Sequence, residues 1–111
     1  MFIRLRVWQI SMELVEDVYR VTSTFPDIEK FALTSQIRRS AISIPSNIAE
    51  EKGRNSDREF KQFLYIARGS LFELRTQLIL AQRLGYLGKD ENLKMKIAEV
   101  QSMLNGLINK L

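Results

Sequence analysis

Apolar residues recur every three or four positions along almost the whole chain, a spacing typical of helices with a buried face. In the first segment the apolar row has a second row on its flank. The two rows are Val7, Ile10, Leu14, Val18 and Val21, and then Trp8, Met12, Val15 and Tyr19. Because two adjacent rows are wider than one partner helix covers, we predict that helix 1, over 7–24, is buried on two sides.

The second helical segment, over 31–53, contains Pro45. The proline ring clashes with the carbonyl of Ala41, so we predict a kink at Pro45, with a full break as the alternative. Polar residues follow one side of this helix: Arg39, Ser43, Ser46, Asn47, Glu50 and Arg54. Small hydroxyls here are able to bond the carbonyl that the proline leaves without a donor. We interpret the cluster as a structural polar kink, with a polar pocket or pore lining as the alternative.

The third segment, over 56–84, starts with Ser56 and Glu59 at the spacing of a capping box. The fourth, over 90–110, has apolar residues at alternating steps of four and three, as in a helix-bundle seam. Connections are short, and no linker divides the chain. The pattern therefore predicts one domain, residues 1–111, folded as an all-α, antiparallel, up-down-up-down four-helix bundle.

The amino-acid composition excludes several kinds of catalytic and metal-binding site. The 111 residues include no cysteine and no histidine, so thiolate metal sites, thiol nucleophiles and His-dependent triads are excluded. A cluster of acids, Glu13, Glu16 and Asp17, is interpreted as a solvated face, and Gly69-Ser70 as a spot for close helix packing. No phosphate-binding glycine loop or nucleophile elbow occurs. We therefore expect a non-enzyme with no catalytic residue, no metal and no cofactor.

The charge is uneven along the chain. The net charge is +4, and the segment from Lys30 to Arg83 holds ten basic and five acidic residues. All of the excess therefore lies in the middle of the chain, which favours an anionic partner, the more so if several subunits place it side by side. No uncharged stretch is longer than Ser40–Ala49, which is about half of the roughly 20 residues of a membrane span. A cytoplasmic location is the expectation.

A basic stripe follows the third helix. Five residues fall within roughly 100° of arc on a helical wheel, opposite the core row. They are Arg58, Lys61, Arg68, Arg75 and Arg83, with Tyr65, Phe72 and Ile79 in the same arc. Arginine suits phosphate and aromatic rings suit unstacked bases, which favours a nucleic-acid surface. The other interpretation is a subunit interface with the apolar residues as anchors, because interfaces are enriched in the same residue types.

Several blocks of sequence resemble one known family. They are Val7-Trp8-Gln9, Phe25-Pro26-x-x-Glu29, the run from Leu33 to Ala41, Ser43-Ile44-Pro45-Ser46-Asn47-Ile48-Ala49-Glu50, Phe63-Leu64-x-Ile66-Ala67-Arg68-Gly69-Ser70 and Arg83-Leu84-Gly85-Tyr86. Together they resemble the 23S rRNA-intervening sequence proteins, from about Val7 to Leu111. One departure is visible: the family usually reads Asn-Ile-Ala-Glu-Gly, whereas Glu51 stands at the glycine here.

The resemblance implies a ring-like homopentamer of four-helix bundles. It also implies relatives among the accessory proteins of diversity-generating retroelements, which bind nucleic acid and contact a reverse transcriptase. We therefore predict a non-enzymatic, oligomeric accessory protein that binds nucleic acid, RNA above all. The predicted contacts are Arg38, Arg54, Arg58, Lys61, Arg68 and Arg75, and the predicted oligomer interface is Trp8, Met12, Tyr65, Phe72 and Ile79. The alternative is a protein-interaction scaffold whose basic and aromatic residues serve the oligomer interface.

Overall fold

The computed structural model describes residues 2–50 and 56–111, with side chains from Arg6 onward. Within them the chain forms four α-helices: α1 over Phe2–Thr22, α2 over Leu33–Ile48, α3 over Asp57–Arg83 and α4 over Glu91–Asn109. One 3-10 turn, Asp27–Glu29, lies between α1 and α2, and this part of the chain contains no strand. The prediction of an all-α fold with four helices is confirmed.

The helix boundaries differ from the predicted ones mainly at α1 and α2. Helix α1 begins at Phe2 rather than near Val7, because no proline or glycine interrupts residues 2–6. Helix α2 begins at Leu33 rather than near Phe31, because the turn before it uses residues 29–32. It ends at Ile48, and the predicted end at Gly53 lies outside the described residues.

Helix α2 continues through Pro45 without ending there. The full break considered from the sequence therefore does not occur. Pro45 is buried, and so are Ile44 and Ile48 in the core of the bundle. Burial of these flanking apolar residues offsets the backbone hydrogen bond that a proline removes.

The ends of α3 and α4 follow local sequence signals. Ser56 caps α3, and its Oγ accepts a hydrogen bond from the Glu59 backbone N–H at 3.1 Å, as the capping-box spacing predicts. Asp90 caps α4 in the same way, accepting from the Leu93 N–H at 3.0 Å. Gly85, with φ of +81°, ends α3 in the left-handed conformation that glycine adopts without strain.

The helices pack in chain order around one core. Helix α2 packs against α1 and α3, and α4 packs against α3 and closes on α1. Arg68 on α3 reaches Asn105 on α4 whereas Arg75 reaches Gln101, so these two helices run in opposite directions. It follows that the edge formed by α1 and α2 lies across the bundle from the edge formed by α3 and α4.

One continuous hydrophobic core fills the bundle, which measures 43 × 26 × 18 Å. Each helix contributes a row: Val7, Ile10, Leu14 and Val18; Ile37, Ala41, Ile44 and Ile48; Phe60, Leu64, Leu71 and Leu74; Leu93, Ile97, Val100 and Leu104. None of the described helices is long and apolar enough to cross a membrane.

Candidate interfaces on opposite edges of the bundle

The outer side of α3 carries an apolar row with a period of seven residues. Tyr65, Phe72 and Ile79 are 40%, 39% and 50% exposed. Seven residues are almost two helical turns, so these side chains lie nearly above one another. Three predicted interface residues therefore form one continuous, partly exposed strip, named here the α3 row.

An arginine covers each of the two aromatic rings in the α3 row. The Arg68 Cζ lies 5.2 Å from the centre of the Tyr65 ring, and Arg75 lies at the same distance from Phe72. Such guanidinium–ring contacts are favourable because the face of the ring is electron-rich. Each arginine thus sits one turn after its aromatic ring and shields part of it.

The same two arginines also bind side chains of α4. Arg68 Nη1 donates to Asn105 Oδ1 at 3.0 Å, and Arg75 Nη1 donates to Gln101 Oε1 at 3.2 Å. A guanidinium has five N–H donors in a fixed plane, so one bond to an amide leaves others available. Both predicted nucleic-acid contacts consequently connect α3 to α4, and they retain donors toward the surface.

A second apolar row lies on the opposite edge. Trp8, Met12 and Tyr19 share one side of α1; Trp8 packs partly against the core, and Met12 and Tyr19 are 40% and 41% exposed. The Cζ of Arg38 on α2 lies 4.4 Å from the centre of the Tyr19 ring, which places this α1 row at the edge between α1 and α2. The two rows therefore face away from each other across the bundle.

Arg38 is held at the carboxyl end of α1. Its Nε donates to Thr22 Oγ1 at 2.9 Å, and its Nη2 donates to the Tyr19 carbonyl at 3.5 Å. The carboxyl end of a helix attracts cations because its last carbonyls lack partners. This predicted nucleic-acid contact thus joins two helices.

The remaining predicted contacts lie toward the start of α3. Arg58 is exposed and Lys61 is half-buried, and neither makes a hydrogen bond or ion pair with the described residues. Arg54 lies outside the described residues. The six predicted contacts therefore divide into Arg38, Arg68 and Arg75, which bind neighbouring helices, and Arg58 and Lys61, which are available to a ligand, with Arg54 not placed.

The polar cluster around Pro45 is a hydrogen-bonded network between α2 and α3. The Ser43 and Ser70 hydroxyls lie 2.8 Å apart, and Asn47 Nδ2 donates to the Ser43 carbonyl at 2.8 Å. Ser46 Oγ donates to the Ile42 carbonyl at 2.8 Å, rather than to the Ala41 carbonyl that the proline leaves without its usual donor.

Three other residues singled out from the sequence lie at the surface. They are Arg39 and Glu50 of the predicted polar kink and Gly69 of the predicted site of close helix packing. Arg39 and Glu50 are exposed and do not join the network. A Cβ at Gly69 would meet no other group within 4 Å, so the close helix packing predicted there is wrong for the glycine. Ser70, by contrast, is buried against α2.

Two polar contacts join elements that are far apart in the sequence, and sequence analysis missed both. Lys96 Nζ lies 2.7 Å from Asp17 and 3.6 Å from Glu13, and the hydrogen bond to Asp17 raises the pKa of Lys96 above its ordinary value. Asp17 is therefore partly buried in an ion pair between α1 and α4, and the interpretation of this acidic cluster as a solvated face is wrong at that residue.

The second contact joins the two connections at one end of the bundle. Tyr86 Oη donates to Glu29 Oε2 at 2.9 Å, and the Tyr86 and Phe25 rings lie 5.6 Å apart. The bond to the Glu29 carboxylate raises the pKa of the Tyr86 hydroxyl. The connection between α1 and α2 is thereby fastened to the connection between α3 and α4.

The described residues contain no group of three or more acidic side chains placed to hold a metal ion. A pocket of about 430 Å³ lies between α3 and α4, next to their connection. Its apolar lining is Leu78, Ile79, Leu87, Leu93, Ile97 and Ala98, and polar and charged residues complete the lining. Ile79 thus belongs both to the α3 row and to this pocket.

Comparison with known proteins agrees with the fold. The chain is similar to a crystal structure of a protein of unknown function from the S23 ribosomal protein family of Bacteroides thetaiotaomicron, with 25% identity and a TM-score of 0.87. The match covers 96% of this chain and 98% of the other. No curated protein matches the sequence. The family model described as 23S rRNA-intervening sequence protein matches residues 4–106. With nearly its whole length matched, this chain belongs to the 23S rRNA-intervening sequence protein family.

Proposed function

We propose that this protein is a non-enzymatic subunit that assembles with copies of itself into a closed ring. One observation carries the proposal: partly exposed apolar rows lie on opposite edges of the bundle, the α1 row on one and the α3 row on the other. When the α1 row of one copy packs against the α3 row of the next, each copy keeps one row for a further neighbour. A head-to-tail contact of this kind forms a ring when its rotation closes. The family resemblance supports five subunits.

The composition of the two rows supports burial between subunits. Together they present Trp8, Met12, Tyr19, Tyr65 and Phe72, and aromatic residues, methionine and arginine are the types enriched at the centres of interfaces. The guanidinium groups of Arg68 and Arg75 lie over the rings, and N–H donors remain. We assign them to the margin of this interface.

The oligomer is tested by measuring molar mass with light scattering for the wild type and for Met12→Glu and Phe72→Glu. We expect a multiple of 12.9 kDa for the wild type and 12.9 kDa for each variant, because a carboxylate in the interface would be desolvated without a partner. Gln9→Glu adds the same charge at an exposed position of α1 outside the row and serves as the control. A wild type of 12.9 kDa at high concentration, or two variants that keep the oligomer mass, would contradict the proposal.

A second function, binding of nucleic acid by the assembled ring, is favoured by the charge. The chain has a net charge of +4, and Arg58 and Lys61 have no partner among the described residues. A ring would place copies of this pair side by side and raise the local positive potential. Arg58 and Lys61 therefore provide the sharper test, because substitution of Arg38, Arg68 or Arg75 would also disturb contacts between helices.

Binding is tested with a structured RNA and a DNA duplex at about 50 and about 200 mM salt. We expect binding that weakens steeply with salt, and its loss in the double variant Arg58→Glu/Lys61→Glu with unchanged molar mass. Arg6→Glu together with Lys110→Glu, at exposed positions of α1 and just after α4, makes the same change in charge elsewhere and serves as the control. Absence of binding at the lower salt concentration would remove this second function.

A further inference from the structure

Two large apolar side chains on the connection between α1 and α2 point into solvent. Ile28 is 85% exposed and Phe31 is 89% exposed, the highest values for large apolar side chains in the described part of the chain. The ammonium of Lys30 lies 5.5 Å from the centre of the Phe31 ring. We name Ile28 and Phe31 the apolar knob. Nothing in the described fold requires either side chain, because neither contributes to the core.

The apolar knob sits on a firmly held turn. The backbone N–H groups of Glu29, Lys30 and Ala32 donate to the carbonyls of Pro26, Asp27 and Glu29 at 2.9, 3.0 and 3.0 Å. The Glu29 side chain in addition accepts from the Leu33 N–H and the Tyr86 hydroxyl. A turn fixed in this way loses little conformational entropy when its side chains are buried by a partner, which favours binding.

The pocket between α3 and α4 has a lining that suits such side chains. Its volume of about 430 Å³ falls within the range of pockets that hold ligands, and its lining is mainly aliphatic. Its lining also includes charged residues of both signs, namely Arg75, Lys89 and Lys94, and Asp90 and Glu91. Asp27 and Lys30 flank the apolar knob. The knob and the pocket therefore both carry acidic and basic side chains, so that opposite charges can face each other when a knob enters a pocket.

The knob and the pocket lie at the same end of the bundle, on different edges. The Tyr86–Glu29 hydrogen bond joins the two connections there, which fixes their common level. The knob belongs to the α1–α2 edge and the pocket to the α3–α4 edge, and the knob does not line the pocket of its own chain. A rotation about an axis parallel to the bundle, with no rise, therefore brings the knob of one copy level with the pocket of the next.

We propose that the apolar knob of each subunit inserts into the α3–α4 pocket of its neighbour. The inference rests on the proposed ring and names the contact that sets its direction. A second copy is favoured over an unrelated protein or a lipid surface because one molecule carries both the protruding and the receiving part at one level. The pocket is also continuous with the α3 row, because Ile79 belongs to both, and this supports the same occupant.

The test uses one knob variant and one pocket variant. The double variant Ile28→Ser/Phe31→Ser removes the knob, and Ala98→Arg places a long side chain at an exposed position of the pocket wall. Met95→Ser and Met95→Arg change an exposed residue of α4 that does not line this pocket, and they serve as matched controls. All four substituted positions are exposed, so the fold should be retained, as circular dichroism would verify.

We expect each of the two variants to have the monomer mass of 12.9 kDa and both controls to keep the wild-type mass. An equimolar mixture of the Ile28→Ser/Phe31→Ser variant and the Ala98→Arg variant should form a species of twice the monomer mass and no larger one. In that mixture the Ala98→Arg subunit supplies an intact knob and the other subunit an intact pocket, so one knob–pocket contact forms. No further subunit can add, because the remaining pocket is blocked and the remaining knob is absent.

Four outcomes would overturn the inference. Either variant keeping the wild-type mass while Phe72→Glu is monomeric would leave the proposed ring standing and remove the knob contact. A mixture that stays at 12.9 kDa would remove the pairing of knob with pocket. A wild type that is itself monomeric would remove the ring and the contact together. A knob variant that keeps the wild-type mass but loses binding to phosphatidylglycerol vesicles would assign the knob to lipid instead.

Discussion

At the residue scale, the Glu29 carboxylate serves two elements at once. One carboxylate oxygen accepts from the Leu33 N–H at 3.3 Å and so supplies a cap to α2, whose N-cap residue, Ala32, has no side-chain acceptor. The other oxygen accepts from Tyr86 at 2.9 Å. The Glu29 carboxylate thus caps the start of α2 and fastens the connection between α1 and α2 to the connection between α3 and α4. Its effect depends on Tyr86 remaining protonated.

Raising the pH should therefore weaken this contact. The pKa of Tyr86 is raised above its ordinary 10.0 by the bond to Glu29, so its contribution to stability is complete below about pH 10 and is lost as the pH rises through the folded-state pKa. Urea unfolding at one protein concentration, at about pH 8 and about pH 11, should show a smaller loss of free energy of unfolding in Tyr86→Phe than in the wild type.

Lys96 also has a raised pKa and loses its charge at alkaline pH, but it is present in both proteins and its contribution cancels in the comparison. Equal losses in the two proteins would mean that the Tyr86–Glu29 bond does not contribute to stability in solution.

At the element scale, the helices owe their ends to a few local signals and their stability to the buried rows. Most of the stability of a helix in a protein comes from packing of its apolar face, so burial of that face decides whether these helices persist. The caps then fix where they begin. Ser56 and Asp90 occupy equivalent positions at the starts of α3 and α4, and each accepts one backbone hydrogen bond.

Removing either cap should cost a similar free energy. We expect Ser56→Ala and Asp90→Ala each to lower the free energy of unfolding by about 1 kcal/mol, because a backbone N–H at the helix start loses its acceptor. Ser102→Ala, at an exposed position inside α4, should have no cost and serves as the control. Urea denaturation measures all three. A cap variant as stable as the Ser102 variant would show that water replaces the capping oxygen without loss.

At the scale of the whole molecule, the bundle has one well-filled core and too much apolar surface outside it. The interior is complete, with residues such as Phe60, Leu64 and Leu71 fully buried. The α1 row, the α3 row and the apolar knob are left over, on opposite edges and at one end. Exposed apolar surface of this kind on a small domain is typical of a protein that buries it against partners.

Thermal unfolding should then depend on protein concentration. Association stabilises the folded chain by mass action, and a tenfold change in concentration corresponds to about 1.4 kcal/mol. For a domain of this size we expect the wild-type Tm to rise by roughly 5 °C per tenfold increase in concentration. Phe72→Glu should have a Tm that does not change with concentration. A wild-type Tm that is equally constant would contradict assembly in this range.

The four helices, their core rows and most of their ends follow from local patterns along the chain. These depend on the 3.6-residue period and on signals within one turn, such as Ser56 before Glu59 or Gly85 after α3. The sequence also marked Tyr65, Phe72 and Ile79 as a surplus face, since the core row of α3 was already complete without them.

The contacts between polar groups, by contrast, depend on how the helices pack. Arg38, Arg68 and Arg75 looked equivalent to Arg58 and Lys61 along the chain, but the first three bind neighbouring helices. The Lys96–Asp17 pair and the Tyr86–Glu29 bond join residues 79 and 57 positions apart. The physical reason is that such contacts depend on which helices are neighbours and at what level they pack. A helical wheel fixes the direction of a side chain but carries neither piece of information.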